Sequence, residues 1–289
     1  MGSLEPFRSP QARAQFIEMY DAVMRSWPVV FDERDVATTF GSTHVVVTGA
    51  EFAPPLVLLH GAAVTASMWG PIMAPLSAAY RCYCIDTITD ANKSIATKRV
   101  SGATDYVDWL RQTLTGLGVE NATVAGLSYG GWLAALLGVH APELVDRLVL
   151  MSPAATLARF STKWLVRMVS ATIVPSVLAE RSLLWAASRP DAASDPVIAV
   201  AVARFLSCRA TRPFPTPAKL TDGELRSITA PTTILLGDRE VIYAGGPAAA
   251  LARAERLIPS VTARLLPKAG HILTLDAPKV VVEEMMATH

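Results

Sequence analysis

Val124-Ala-Gly-Leu-Ser-Tyr-Gly-Gly131 decides how the rest of the chain is read. An apolar run ends at a glycine. One serine follows, then two residues on another pair of glycines, then an alanine- and leucine-rich segment. Gly126-Leu-Ser128-Tyr-Gly130 fits G-x-S-x-G, in which a serine sits at a tight strand-to-helix turn and only small neighbours avoid clashes. The apolar run before it and the helical pattern after it supply the context that the motif demands. Ser128 is therefore the candidate nucleophile.

The surrounding chain has the matching rhythm. Strand-like runs recur at LVLLH (56–60), RCYCID (81–86), ATVAGL (122–127), RLVLM (147–151), TTILLG (232–237) and ARLLP (263–267). Most are continuously apolar, as strands covered on both faces are. Helical patterns fall between them at 104–117, 129–139, 247–257 and 278–286. The alternation predicts an α/β fold with a mostly parallel central sheet and helices on both faces. Ligands in such sheets bind beyond the carboxyl ends of the strands. Ahead of the first run, Ser9 and Pro10 open a helix over about 10–27, and two strands are expected at 36–39 and 43–47.

From Pro153 to Pro231 no strand pattern appears. Helices are expected at 162–173, 177–187 and 196–206, with Asp195 capping the third. Thr221-Asp-Gly-Glu224 fits a capping box for a fourth. The proline-rich 212–220 reads as loop. Residues 154–229 are thus expected to form a helical cap inserted in a core of 1–153 and 230–289. Its Phe160, Trp164, Trp185, Phe205 and Phe214 would build the cap and line an apolar pocket.

A serine needs a base. Of five histidines, His289 ends the chain, His44 lies on an early strand and His140 lies roughly 18 Å away along the helix that starts at the serine. His60 reads as a support of its own loop. His271, in KAGHILTLDAP after the last strand, remains. The third member is a carboxylate that orients the imidazole. After TTILLG the chain reads Asp238-Arg-Glu240, and both acids are near the right place. His60-Gly-Ala62-Ala63, after LVLLH, is a small-residue loop able to aim the Ala62 N–H at a developing oxyanion, with the Tyr129 N–H as the second donor.

HGAA (60–63), GLSYGG (126–131), GDREVIY (237–243) and GH (270–271), in that order, resemble the α/β-hydrolase family, and most of all its capped bacterial serine carboxylesterases. The resemblance implies an acyl-enzyme mechanism without metal or organic cofactor. It also implies that the acid lies at the fourth position of a G-x-x-[DE] segment, which selects Glu240 over Asp238. Lactonase, thioesterase and cyclase chemistry use the same machinery, and some relatives only bind ligands.

Composition sets outer bounds. The 289 residues carry a net charge of +1 and are 51% apolar, so neither nucleic acid nor an anionic membrane is expected as main partner. No run is long enough to span a bilayer, and MGSLEPFRSP reads as neither signal peptide nor myristoylation site. Cys82 and Cys84 read as buried thiols on one face of a strand rather than as metal ligands, and the expected compartment is a reducing cytoplasm. The sequons at Asn92 and Asn121 read as chance matches. The expected partner is a small apolar ester-type substrate, in a monomer or homodimer whose N-terminal helix packs on its own core.

Overall fold

The computed structural model describes residues 4–209 and 215–287. Phe214 and His289 lie outside them, as does the start of the proline-rich loop. The described elements run, in chain order, α1 (Pro10–Arg25), β1 (Asp32–Thr38), β2 (Gly41–Thr48), β3 (Pro55–Leu59), α2 (Gly70–Ala79), β4 (Arg81–Ile85), β5 (Ile95–Ala96), α3 (Ala103–Leu117), β6 (Ala122–Leu127), α4 (Tyr129–His140) and β7 (Val145–Met151). Four helices follow with no strand between them: α5 (Thr162–Ile173), α6 (Pro175–Ala187), α7 (Pro196–Ser207) and α8 (Asp222–Ser227). The chain then resumes alternation with β8 (Thr232–Gly237), α9 (Gly246–Leu257), β9 (Val261–Leu266), α10 (Leu273–Asp276) and α11 (Pro278–Met286).

The strands form one sheet in the order β1-β2-β4-β3-β6-β7-β8-β9, with β5 paired to β2. Pairs β1–β2 and β2–β4 are antiparallel, and every pair from β4 to β9 is parallel. The α/β class expected from the alternation is thus the observed one. Side chains on the central strands go alternately to two cores. Val57, Leu59, Val124, Leu148 and Leu150 enter one, beneath α3, α4 and α9. Leu56, Leu58, Ala125, Leu127 and Val149 enter the other, beneath α2 and α11. Both faces are covered, which is why these strands are continuously apolar. Cys82 and Cys84 are buried free thiols in the second core.

The helix ends follow local chemistry. Ser9 Oγ accepts the Ala12 N–H at 3.1 Å and α1 starts at Pro10, but it stops at Arg25, short of Trp27. Its Phe16, Tyr20 and Met24 are buried, so α1 packs on the chain's own core. Thr221 and Glu224 close a reciprocal capping box, with Thr221 Oγ1 accepting the Glu224 N–H at 3.1 Å. Helix α2 has no counterpart among the helices expected from the sequence. It carries Pro71 in its first turn and Pro75 inside, and its apolar residues show little sidedness. No helix among the described residues is long and apolar enough to cross a membrane.

Candidate active site

Ser128 occupies the bend between β6 and α4 at φ 53°, ψ −111°, outside the regions that L-residues favour. Three backbone bonds hold it there. Its N–H donates to Met151 O at 2.9 Å, and its carbonyl accepts from Trp132 N–H at 3.0 Å and Ala154 N–H at 2.8 Å. The flanking glycines are required by close approach. A Cβ on Gly126 would stand 2.3 Å from the Gly130 carbonyl carbon, and one on Gly130 would stand 1.9 Å from Leu59 O. The start of α4 therefore lies directly against the end of β3. Gly130→Ala is expected to destabilise the fold by about 1–3 kcal/mol, because the methyl meets backbone rather than a pliable side chain. Thermal melts check this, and an unchanged midpoint would contradict it.

The loop after β3 faces the bend. The ideal Cβ of Gly61 would lie 3.7 Å from Ser128 Cβ. His60 is buried and serves this loop: its Nε2 accepts the Thr87 N–H at 2.9 Å, so Nδ1 carries the proton and donates to Gly61 O at 2.7 Å. Ala63, at φ 66°, donates its N–H to Asp90 Oδ2 at 2.8 Å. Ala62 and Tyr129 line the same cavity as Ser128. The Tyr129 phenol points elsewhere, donating to Pro215 O at 2.8 Å and pairing with the Tyr106 hydroxyl at 2.7 Å.

His271 and Glu240 come together through a second close approach. A Cβ on Gly237, at the end of β8, would stand 2.2 Å from Ala269 O. Arg239 N–H bonds to that same carbonyl at 2.9 Å. The two loops lie backbone to backbone, and the side chains that follow meet. His271 Nδ1 lies 2.8 Å from Glu240 Oε2, and His271 Nε2 lies 2.9 Å from Ser128 Oγ. Glu240 Oε1 accepts the N–H groups of Val241 and Ile242 at 2.7 and 3.0 Å. Burial pushes this carboxyl up, but His271 beside it and its donors outweigh that and hold it below the ordinary range. Asp238 is exposed, and only its backbone is tied in, donating to Leu266 O at 2.9 Å. Of the two acids, the geometry joins Glu240 to His271.

The four-helix segment closes over these groups. His271 N–H donates to Ala186 O at 2.9 Å, and the Trp164 ring centroid is 5.3 Å from the imidazole. Between sheet and helices lies a cavity of about 280 Å³, walled by Met68, Leu127, Phe160, Trp164, Ile198 and Phe205 among others. Trp185 stacks on Trp164 instead of lining this cavity.

One acid escaped the sequence reading. Asp276 Oδ2 accepts the Gly270 N–H at 2.7 Å, next to His271, while its Oδ1 is buried without a hydrogen-bond partner among the described residues. Burial pushes Asp276 up to about 6, although the Gly270 N–H, Arg189 and His271 pull it down. The folded chain thus holds this proton more tightly than the unfolded chain does. The Asp276 contribution opposes folding above pH about 6 and is relieved as pH falls through that value. Asp276→Asn is expected to melt higher than the parent at about pH 8, with the gap narrowing below pH about 6 and closing only below the ordinary value of 3.8. A gap independent of pH would contradict the assignment.

A model described as the alpha/beta hydrolase family matches residues 56–284. The chain belongs to that family. It is 36% identical over 278 residues to the uncharacterized carboxylesterase nap of Bacillus subtilis, spanning 94% of this chain and 91% of that one. Carboxylesterase YbfK of the same organism is 31% identical over 287 residues, spanning 97% and 95%. The crystal structure of naproxen esterase (carboxylesterase NP) from Bacillus subtilis superposes with a TM-score of 0.90 at 34% identity, covering 96% of this chain and 98% of that one.

Proposed function

We propose that the chain is a carboxylesterase that cleaves small, uncharged apolar esters through an acyl-enzyme on Ser128. One observation carries the reading. Glu240, His271 and Ser128 form an uninterrupted hydrogen-bonded line, with links of 2.8 and 2.9 Å, at the floor of an apolar cavity. Two full-length relatives named carboxylesterases support it. His271 Nε2 takes the proton as Ser128 Oγ attacks the ester carbonyl. Glu240 fixes the Nδ1–H tautomer and stabilises the imidazolium that forms. The N–H groups of Ala62 and Tyr129 receive the oxyanion. The alcohol leaves with the proton from His271, and water activated by the same nitrogen releases the acid.

In this reading residues 154–229 act as a cap whose α5 and α7 shape the pocket. Cavity walls of this kind favour an ester's apolar arm. Within the pocket's capacity, each added acyl methylene is expected to raise kcat/KM by about fourfold, from about 0.8 kcal/mol of burial, until the roughly 280 Å³ is filled. A p-nitrophenyl ester series tests this, run beside matched lactones and thioesters. Faster turnover of the lactone or thioester at equal chain length would move the chain to those chemistries. No turnover of any of them, with the fold intact, would favour a ligand-binding role.

A further inference from the structure

We propose that Asp90 is a positioning residue for the oxyanion loop, latched through Arg204 to helix α7, so that the seating of this cap helix sets the alignment of the Ala62 donor. The inference rests on the proposed role of the Ala62 N–H. Asp90 lies on the loop after β4 and is buried. Its Oδ2 accepts the Ala63 N–H at 2.8 Å. Its Oδ1 accepts the Ala91 N–H at 2.8 Å and the Arg204 Nε–H at 3.1 Å. One carboxylate therefore joins a helix of the four-helix segment to the residue that follows Ala62.

Ala63 needs such a partner. At φ 66° an alanine sits where backbone strain is expected, and an anionic acceptor on its N–H holds it there. Arg204 stands at the other end of the latch. Arg204 lines the cavity together with Val197, Ile198, Ala201 and Phe205 of α7. The same helix packs through Val200 in a small core with Phe16 of α1, Phe7 ahead of it and Ala91 beside Asp90. The wall that an ester arm would press on is thus the element that fixes the donor loop. The charge balance agrees. Burial pushes the Asp90 carboxyl up, but Arg204 first, then the N–H groups of Ala63 and Ala91, hold it below the ordinary range. The groups facing it are Arg204 from α7, His60 from the end of β3 and the Tyr129 phenol from α4.

The test uses the full chain with p-nitrophenyl butyrate, comparing the parent with Asp90→Asn, Arg204→Met and Arg204→Lys. Rates are normalised to the serine titrated by a fluorophosphonate, so misfolded protein does not enter. Asp90→Asn and Arg204→Met are expected to lower kcat by about 10- to 100-fold with KM within about threefold, as a displaced donor should. Arg204→Lys is expected to recover most of the loss. In Arg204→Met the Asp90 carboxyl loses its main counter-charge, so kcat should fall further as pH drops, a limb that the lysine variant lacks. Unchanged kcat per titrated serine in both variants would overturn the proposal. So would a rise in KM at constant kcat, which marks a binding role alone. Turnover that survives Ser128→Ala would instead remove the esterase reading itself.

Discussion

Ser128→Ala is expected to lower kcat for p-nitrophenyl esters by about 10⁴- to 10⁶-fold while leaving KM within a few-fold. The loss should be large because, in the proposed mechanism, this hydroxyl is the atom that forms the acyl bond. His271 Nε2 has Ser128 Oγ at 2.9 Å, and its other nitrogen is committed to Glu240. The residual rate should reflect the oxyanion donors and binding alone, which act on water without a nucleophile. Stability should barely move. Alanine occupies the same φ of 53° with the same backbone bonds, so a melting midpoint within about 2 °C of the parent is expected. Burst kinetics with a stoichiometric p-nitrophenol release in the parent, absent in the variant, would mark the acyl-enzyme.

Glu240→Gln is expected to cost about 10³- to 10⁴-fold in kcat, and Asp238→Asn less than about twofold. The contrast follows from where the two acids sit. Glu240 is buried with both oxygens engaged, one by His271 Nδ1 and one by the Val241 and Ile242 N–H groups. Glutamine keeps the shape but brings an amide that cannot balance a developing imidazolium. If its NH₂ faces Nδ1, the tautomer is wrong for proton abstraction at Nε2. The Asp238 carboxylate is exposed, so its charge is screened by water. A collapse of turnover in Asp238→Asn, with Glu240→Gln near the parent rate, would reverse the assignment of the acid.

Much of this was readable in the sequence because it is written in local patterns. Doubly covered strands show as unbroken apolar runs, and the bend at Ser128 forces glycine at 126 and 130. Thr221 and Glu224 name a helix start within four residues. The positions of the other histidines set them aside and leave His271, whose loop follows the last strand. The unreadable parts share a physical cause. Helix α2 is short, buried and interrupted by Pro75, so it shows neither a sided apolar stripe nor a clean start. Strand β5 is two residues long. Glu240 and Asp238 lie two residues apart on one loop, and their separation into buried and exposed depends on the turn that packs Arg239 against Ala269. Asp90 and Trp164 meet partners far along the chain, Arg204 being 114 residues from Asp90. No local pattern encodes such pairings.

Ser128 is proposed as a nucleophile activated by His271. The most direct measurement is labelling of the intact, folded chain by a fluorophosphonate, read by peptide mass spectrometry, in the parent and in His271→Ala. One adduct per chain is expected, on the peptide that holds Ser128, formed in the parent and slowed by about 10³-fold or more without the imidazole. An intact protein that stays unlabelled, or an adduct on another serine, would contradict it.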